Sequence, residues 1–284
     1  AGAGEQPLRG SNFQNERWID LRLYELSGWT MTKCAHWVLL FLLLFPPGVL
    51  AGRGYTEATT DNVQAAASSA WDVSAGTWTF WVYRTATPGA ARRISDADDG
   101  NTDSGWFISM RTSNDIEMSI VFSTTNIVRI QTDTLPLNTW ALIAITWDGG
   151  LVGSSVAFYV DGVFDAGLAG SDSAGSHIAQ NVALAIGNNN DGGSQSLPGR
   201  LAQFAIYNRV LAQSEVLDIF RGVPPLCVAP NNVVVYFPLL GTQSPEPDLS
   251  RLATTGTVTG TTGVDDPRAV STACAQRLLQ GIGR

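Results

Sequence analysis

The sequence predicts an antiparallel all-β domain closed by one short helix, and three patterns between residues 140 and 220 carry this prediction. Trp140–Trp147 (WALIAITW) is apolar on both of its alternating faces, which indicates a strand covered from both sides. Asp161-Gly162 separates two apolar runs, and this pair tolerates the positive φ angles of a two-residue hairpin turn. Gln213–Phe220 has apolar residues at helical spacing, and Glu215 in its first turn suits the helix dipole.

Short apolar segments between polar turns continue on both sides of this region. Thr77–Tyr83 alternates with aromatic residues on both faces. Val233–Leu240 (VVVYFPLL) predicts a last core strand, in which Pro238 marks either the end or an edge position. Regular spacing of this kind is typical of β-sandwiches. Four further strands are predicted at 91–95, 105–111, 116–122 and 127–132.

Four segments resemble, in their residues and in their order along the chain, the concanavalin A-like jelly roll of the laminin G-like family. The resemblance is to the branch that is also similar to pentraxins. The resemblance spans roughly Tyr55–Gly263 and implies a two-sheet antiparallel jelly-roll sandwich. It also implies a protein that is usually secreted and binds glycans or other extracellular ligands, in some members through calcium. Ala212 departs from the Ser or Thr that relatives often place before the helix, which should weaken the cap by about 1 kcal/mol. The segments are 140–149 (WALIAITWDG), 157–162 (AFYVDG), 185–187 (AIG) and 199–220 (GRLAQFAIYNRVLAQSEVLDIF).

The first 51 residues are expected to precede this domain. Residues 31–51 have the layout of a secretory signal, with basic Lys33, an apolar run over Trp37–Phe45 and small residues up to Ala51. A membrane anchor is the alternative, although the run is shorter than the ~20 residues that a spanning helix needs. We therefore expect a secreted or cell-surface protein with no membrane insertion after signal cleavage. Its parts would be a non-native or disordered leader (1–30), the signal (31–51), the domain (52–265) and a tail (266–284).

Charge and cysteine content limit the partners and the compartment. The formal net charge of −8 argues against nucleic acid or an anionic membrane as a partner, because either needs clustered basic residues. Loss of the signal would remove Cys34 and leave Cys227 and Cys274, for which we predict a disulfide bond. Two unpaired thiols in a reducing compartment are the alternative.

An acidic loop at 95–105 (SDADDGNTDSG) is the first candidate site. Calcium prefers several oxygen ligands, and a loop with glycines can wrap side-chain and backbone oxygens around one ion. The spacing does not match an EF-hand, and a solvated acidic turn is the alternative. The predicted metal ligands in this loop are Asp96, Asp98, Asp99, Asn101 and Asp103.

A second polar loop precedes the strand at Gly199, where pentraxin-like relatives place part of their calcium site. Its amide and carboxylate oxygens suit calcium or sugar hydroxyl groups, and an Asn/Gly turn with left-handed backbone is the alternative. The predicted ligand-binding residues are Asn188, Asn189, Asn190, Asp191 and Gln195, with Asp191 also a predicted metal ligand.

Aromatic side chains are a third candidate feature, because a flat apolar face can pack against a sugar ring. Packing inside the sandwich is the alternative for each of them. The four candidates are Trp81, Tyr83, Trp106 and Tyr159, and Trp106 is included among the predicted ligand-binding residues.

Catalytic signals are weak in this sequence. His177 is the only histidine after the signal and lies outside any nucleophile motif, and Glu117 stands alone among apolar and small residues. We expect a secreted non-catalytic module that recognises carbohydrate or an extracellular polymer through rim loops, with calcium as a candidate cofactor. The alternatives are a structural or adhesion protein that binds another protein or itself, and a polysaccharide-cleaving enzyme.

Overall fold

The structure is a computed structural model, and it describes residues 51–57, 59–98, 100, 105–177, 181–191, 193–241 and 243–265. The strands within these residues are β1 (Ala51–Tyr55), β2 (Asn62–Ser68), β3 (Gly76–Arg84), β4 (Arg92–Asp96), β5 (Trp106–Met110), β6 (Ile116–Ile120), β7 (Ile127–Ile130), β8 (Trp140–Trp147), β9 (Val156–Val160), β10 (Val163–Asp165), β11 (Leu168–Ser171), β12 (Val182–Ile186), β13 (Gly199–Tyr207), β14 (Val233–Phe237), β15 (Glu246–Pro247), β16 (Thr255–Thr259) and β17 (Thr262–Asp265). The helices are α1 (Gln213–Phe220) and α2 (Pro225–Val228), with 3₁₀ turns at Ser69–Trp71 and Gly153–Ser155.

These strands form two antiparallel sheets. Sheet A has the order β10-β9-β8-β3-β13-β1-β17, and β14 also pairs with β13. Sheet B has the order β11-β7-β6-β5-β4-β12-β2-β16-β15. The predicted two-sheet antiparallel sandwich is therefore confirmed. The four-residue helix α2 was not predicted.

The main hydrophobic core lies between the two sheets. Trp78 of β3 meets Trp106 of β5 edge to face, with ring centroids 5.2 Å apart, so one aromatic pair spans the layers. The indole N–H of Trp106 donates to the Trp71 carbonyl oxygen at 2.8 Å, which satisfies its polar atom inside the core.

A second core explains why β8 is apolar on both faces. Its inner face joins the core between the sheets, whereas Leu142 and Ala144 pack on the outer face of sheet A with Val216 and Ile219 of α1. Every residue of β8 is buried, as predicted. The outer face of β8 is therefore covered by the helix α1, whereas its inner face is covered by sheet B.

Local signals place α1 against this face. Asp161 and Gly162 adopt φ angles of +52° and +82°, which confirms the predicted hairpin turn between β9 and β10. A side chain at Gly162 would collide with Leu217 of α1, since its Cβ would lie 2.8 Å from the Leu217 Cδ1 atom. Ala212 supplies no side-chain cap, as expected, but the Glu215 carboxylate accepts the Ala212 backbone N–H at 2.9 Å.

The chain ends of the domain meet in a buried ion pair. Arg53 of β1 donates from Nε and Nη2 to Glu246 Oε2, at 2.8 and 2.6 Å, and both side chains are almost fully buried. Arg53 Nη1 also donates to Thr261 Oγ1 at 2.9 Å, and Glu246 Oε1 accepts the Leu240 N–H at 2.9 Å. These bonds satisfy charges that are 193 residues apart in the chain, and they tie the first strand to the last segment.

The outer segments of the chain give no further structural test. The predicted leader and most of the predicted signal lie outside the described residues, as does the tail from 266 onward. Ala51, the last residue of the predicted signal, begins β1 and pairs with Asp265 of β17. Within the described residues no helix is both long and apolar enough to span a membrane.

We predict that Glu246→Gln lowers the free energy of unfolding by about 3–5 kcal/mol, because it leaves the buried Arg53 guanidinium without a counter-charge. Gln retains the oxygen that accepts the Leu240 N–H, so the change tests the charge itself. Glu57→Gln is the matched control, since Glu57 pairs with Arg92 at a partly exposed position and should cost under about 1 kcal/mol. Urea unfolding measures the free energy of unfolding of both variants. Equal losses of stability would contradict the role given to the Arg53–Glu246 pair.

Candidate functional site

The pairing of β4 with β12 brings the two predicted polar loops together. Ser95 is opposite Ile186 and Asp96 is opposite Ala185, so the acidic loop leaves sheet B beside the strand that leads into the asparagine loop. The asparagine loop then folds back along β4, where the Gln195 carbonyl oxygen accepts the Arg93 N–H at 2.9 Å. Two candidate sites that are about 90 residues apart in the sequence thus form one site.

A concave pocket of about 90 Å³ lies between these loops. The Asn190 side chain joins its walls, because Nδ2 donates to the Asp98 carbonyl oxygen at 3.2 Å. On the other side, Gln64 of β2 donates from Nε2 to the backbone and side-chain oxygens of Asn190, each at 3.1 Å. The described residues that line it are Arg93, Asp96, Asp98, Gly100, Asn189, Asn190, Asp191 and Gln195.

Asn188 was predicted to bind ligand, and the structure contradicts this. Its side chain is fully buried, and Oδ1 accepts the backbone N–H groups of Asn189 and Gln195, both at 2.9 Å. Its Nδ2 donates to the Thr59 carbonyl oxygen at 3.1 Å. Asn188 therefore stabilises the loop from inside, and its full burial keeps its amide from contact with a ligand.

Asn189 is different, because it keeps an unsatisfied acceptor. Only 6% of the residue is exposed, and its Nδ2 donates to Asp191 Oδ1. Its Oδ1 has no hydrogen-bond partner among the described residues. A buried acceptor without a donor costs about 1–3 kcal/mol, so this oxygen favours a ligand hydroxyl group or a water molecule in the pocket.

Asp96 is the buried acid of the pocket. Its Oδ2 lies 3.0 Å from Arg93 Nε, and its Oδ1 accepts the Asp98 N–H at 2.9 Å. Burial raises the pKa of Asp96 to about 6, and the Arg93 charge only partly opposes this effect. A carboxylate held in this state is costly for the fold and is typical of a functional site.

Arg93 is the site residue that the sequence analysis missed. Its guanidinium lies 3.6 Å from the centre of the Phe107 ring, and Nη1 donates to Ser109 Oγ at 2.7 Å. In a regular strand Arg93 and Asp96 would face opposite sides of the sheet. A register shift between Arg93 and Ser95 brings them to the same side, and no residue pattern in β4 predicts that bulge.

The predicted aromatic face is not present at this pocket. Trp106 was predicted to bind ligand, but it is 2% exposed and belongs to the main core, so that prediction was wrong. Trp81 is buried under α1, where its ring stacks on Phe220. Tyr83 and Tyr159 are partly exposed on β3 and β9 of sheet A, whereas the pocket belongs to sheet B.

Several predicted metal and disulfide residues remain untested. Asp99, Asn101, Asp103 and Cys274 lie outside the described residues, so the calcium set and the Cys227–Cys274 bond stay predictions. Among the described residues, no three His, Cys, Asp or Glu side chains form a group that could hold a metal ion. The described residues offer the carboxylates of Asp98 and Asp191 together with amide oxygens, which is part of the oxygen set that calcium prefers.

The His177 side chain bridges two segments through its ring nitrogens. Nε2 faces Asp72 Oδ1 and Nδ1 faces the Val121 carbonyl oxygen, both at 2.8 Å. Burial lowers the pKa of His177, but these two acceptors outweigh burial and hold the pKa above its usual value.

More than half of the chain matches the model of a known protein family. Residues 57–217, which are 161 of the 284 residues, match the family model Laminin_G_3, described as the concanavalin A-like lectin/glucanases superfamily. The chain belongs to this family. A search of curated proteins found no match.

Several solved structures of distant proteins are similar to this chain. A candidate carbohydrate-binding protein from Bacteroides ovatus ATCC 8483 aligns with a TM-score of 0.55 at 15% identity, covering 80% of this chain and 62% of that protein. The domain therefore spans less than two thirds of that protein's length. A heptameric SAP-like pentraxin from Limulus polyphemus aligns at 0.46 and 14% identity, covering 79% and 97%. The CBM40 of a Ruminococcus gnavus sialidase, bound to sialyllactose, aligns at 0.40 and 12% identity, covering 61% and 100%.

We predict that Asp96→Asn stabilises the domain at pH 7 by about 1–3 kcal/mol, because the variant no longer buries a charge. The folded pKa of Asp96 is raised, so the wild type gains stability as the pH falls through about 6, and the two proteins should become equally stable near pH 4. Urea unfolding at pH 7, 5 and 4 measures this difference. A variant less stable than the wild type at pH 7 would contradict it.

Proposed function

We propose that the domain is a non-catalytic carbohydrate-binding module that holds a saccharide in the pocket between the acidic and asparagine loops. The observation that carries the proposal is the meeting of these two loops in one concave site, with a guanidinium, carboxylates and amides facing the same space. Binding sites of this kind use a few placed polar groups to fix the orientation of a ligand.

The chemistry of these groups suits sugar hydroxyls, which both donate and accept hydrogen bonds. Asn189 Oδ1 and the carboxylate oxygens accept, whereas the Arg93 guanidinium and the Asn190 and Gln195 amides donate. Arg93 is already fixed by Asp96, Ser109 and Phe107, so binding would cost little of its side-chain entropy. The family description, which names lectins and glucanases, agrees with a saccharide ligand.

The finer parts of the proposal are secretion and calcium. The signal-like segment at 31–51 supports an extracellular protein, and the Cys227–Cys274 bond would suit that compartment. Calcium would be held by oxygens from the predicted metal ligands, and it would bridge these residues to sugar hydroxyls. The predicted ligands are Asp96, Asp98, Asp99, Asn101, Asp103 and Asp191.

We predict that Arg93→Gln weakens saccharide binding at least about tenfold, because it removes charge-assisted hydrogen bonds, and that Asn190→Ala weakens it several-fold. A glycan array and polysaccharide pull-downs, each with calcium and with chelator, identify the ligand. Calorimetry with the best ligand then measures each variant.

Two exposed substitutions serve as controls: Arg221→Gln after α1 and Asn231→Ala before β14. Both should bind as the wild type does. No saccharide binding, or unchanged binding in both pocket variants, would contradict the proposed site. Release of reducing sugar from a bound polysaccharide would contradict the non-catalytic assignment.

A further inference from the structure

The side chain of His177 makes a contact at each of its ring nitrogens. Nε2 lies 2.8 Å from Oδ1 of Asp72, and Nδ1 lies 2.8 Å from the carbonyl oxygen of Val121. Asp72 follows the 3₁₀ turn at Ser69–Trp71, and Val121 follows β6. The His177 side chain is 15% exposed and the Asp72 side chain 2%, so both contacts are largely shielded from water.

The chemistry of the two partners fixes the number of protons on the ring. An ionised carboxylate and a carbonyl oxygen only accept hydrogen bonds, whereas a neutral imidazole has one N–H and one lone pair. A neutral His177 would therefore direct a lone pair at an acceptor oxygen 2.8 Å away, whichever nitrogen carried the proton. Both contacts are hydrogen bonds only when both nitrogens are protonated, and the ring is then a cation.

The surroundings of the ring contain one charged group that acts on it. Burial lowers the pKa of His177, but the hydrogen bonds to Asp72 and Val121 and the Asp72 charge outweigh burial and raise this pKa. Asp72 is the only charged side chain among the described residues with this effect. On the β8 side the ring packs against Trp147, and the neighbouring Asp148 is exposed and accepts the Gly150 N–H at 2.8 Å. Residues 178–180 (IAQ) carry no ionisable side chain.

His177 ends a loop of residues 172–177, which follows β11 and has further bonds. Ala174 and Thr125 exchange two backbone hydrogen bonds, at 2.9 and 3.1 Å. The Ser176 N–H donates to Ser123 Oγ at 3.0 Å. Amide and hydroxyl groups keep their protons between pH 5 and 8, whereas an imidazole changes charge in this range. His177 therefore adds a pH-dependent attachment to this loop.

We propose that His177 is an imidazolium in the folded protein and acts as a pH-sensitive switch that fastens the 172–177 loop to Asp72 and Val121. As the pH rises, the ring releases one proton to the solvent, and the neutral ring can donate to only one of the two oxygens. The end of the loop then loses one of these attachments. The inference is independent of the proposed saccharide site, which involves the loop at the other end of β12.

The switch makes stability depend on pH in one direction. Because the folded pKa of His177 is raised, its contribution is complete below the unfolded value of about 6.5 and is lost as the pH rises through the folded pKa. The folding equilibrium constant of the wild type, divided by that of His177→Gln, should therefore fall at least about threefold between pH 5.5 and pH 9. Urea unfolding of the full chain measures both constants, and a ratio that stays constant or rises would overturn the proposal.

NMR of the imidazole nitrogens observes the protons directly. The chain contains two histidines, His36 and His177, so the spectrum of His177→Gln assigns both signals. The His177 ring should lose its second N–H at a higher pH in the folded chain than in the chain unfolded in urea. Asp72→Asn keeps an acceptor oxygen without the charge, so it should lower the His177 midpoint by at least about one pH unit. The midpoint of His36 should not change.

The wild-type titration decides the protonation even where Asp72→Asn fails to fold. A His177 midpoint at or below that of the unfolded chain would overturn the proposal. The switch is read from the amide signals of Gly175 and Ser176, which should move with the same midpoint as the ring and remain still in His177→Gln. Val216 of α1 is the matched control and should not move with that midpoint. If the ring titrates while the loop amides stay unchanged, the switch is overturned.

Discussion

The site depends on the antiparallel pairing of β4 with β12 in the middle of sheet B. This pairing fixes Asp96 opposite Ala185, and the loop after β12 must then turn back along β4. Gly187 makes that turn with a φ of +85°, and a Cβ there would lie 2.0 Å from the Tyr55 ring. Asn188 then holds the loop through three hydrogen bonds of its buried amide. A polar pocket therefore forms where two loops leave paired strands of sheet B.

The two sheets have different roles in the domain. The outer face of sheet A is covered by α1 and completes a second core with Leu142, Ala144 and Val216. Sheet B carries the polar pocket, where Asp96 is ionised at neutral pH despite its burial. Both sheets supply the core between them, whereas the buried carboxylate of the pocket belongs to sheet B alone.

The fold could be predicted from the sequence because its signals are local. The two apolar faces of β8, the Asp161-Gly162 turn and the helical spacing before Phe220 each specify one element. Both polar loops were also predicted as candidate sites. Their meeting could not be predicted from single segments, because it depends on which strands are neighbours in sheet B. Arg93 was missed because its side chain reaches the pocket through the β4 bulge, and this bulge also depends on how β4 pairs with its neighbour.

Burial was the least predictable property of individual side chains. Trp106 and Asn188 have the chemistry of ligand-binding residues. Trp106 nevertheless packs in the core, and the buried Asn188 amide bonds to the backbone of its own loop. An aromatic or amide residue looks the same in sequence whether it faces a ligand or the interior. Only the register of its strand and the path of its loop decide between the two.

Amide chemical-shift mapping by NMR, during titration with the oligosaccharide that binds most tightly, tests directly whether the two polar loops form the binding site. We expect the largest shifts at Arg93, Asp98, Asn190 and Gln195, with α1 and the β9–β10 hairpin unchanged. Saturable shifts confined to sheet A or to the β9–β10 hairpin would place the ligand elsewhere and contradict this assignment.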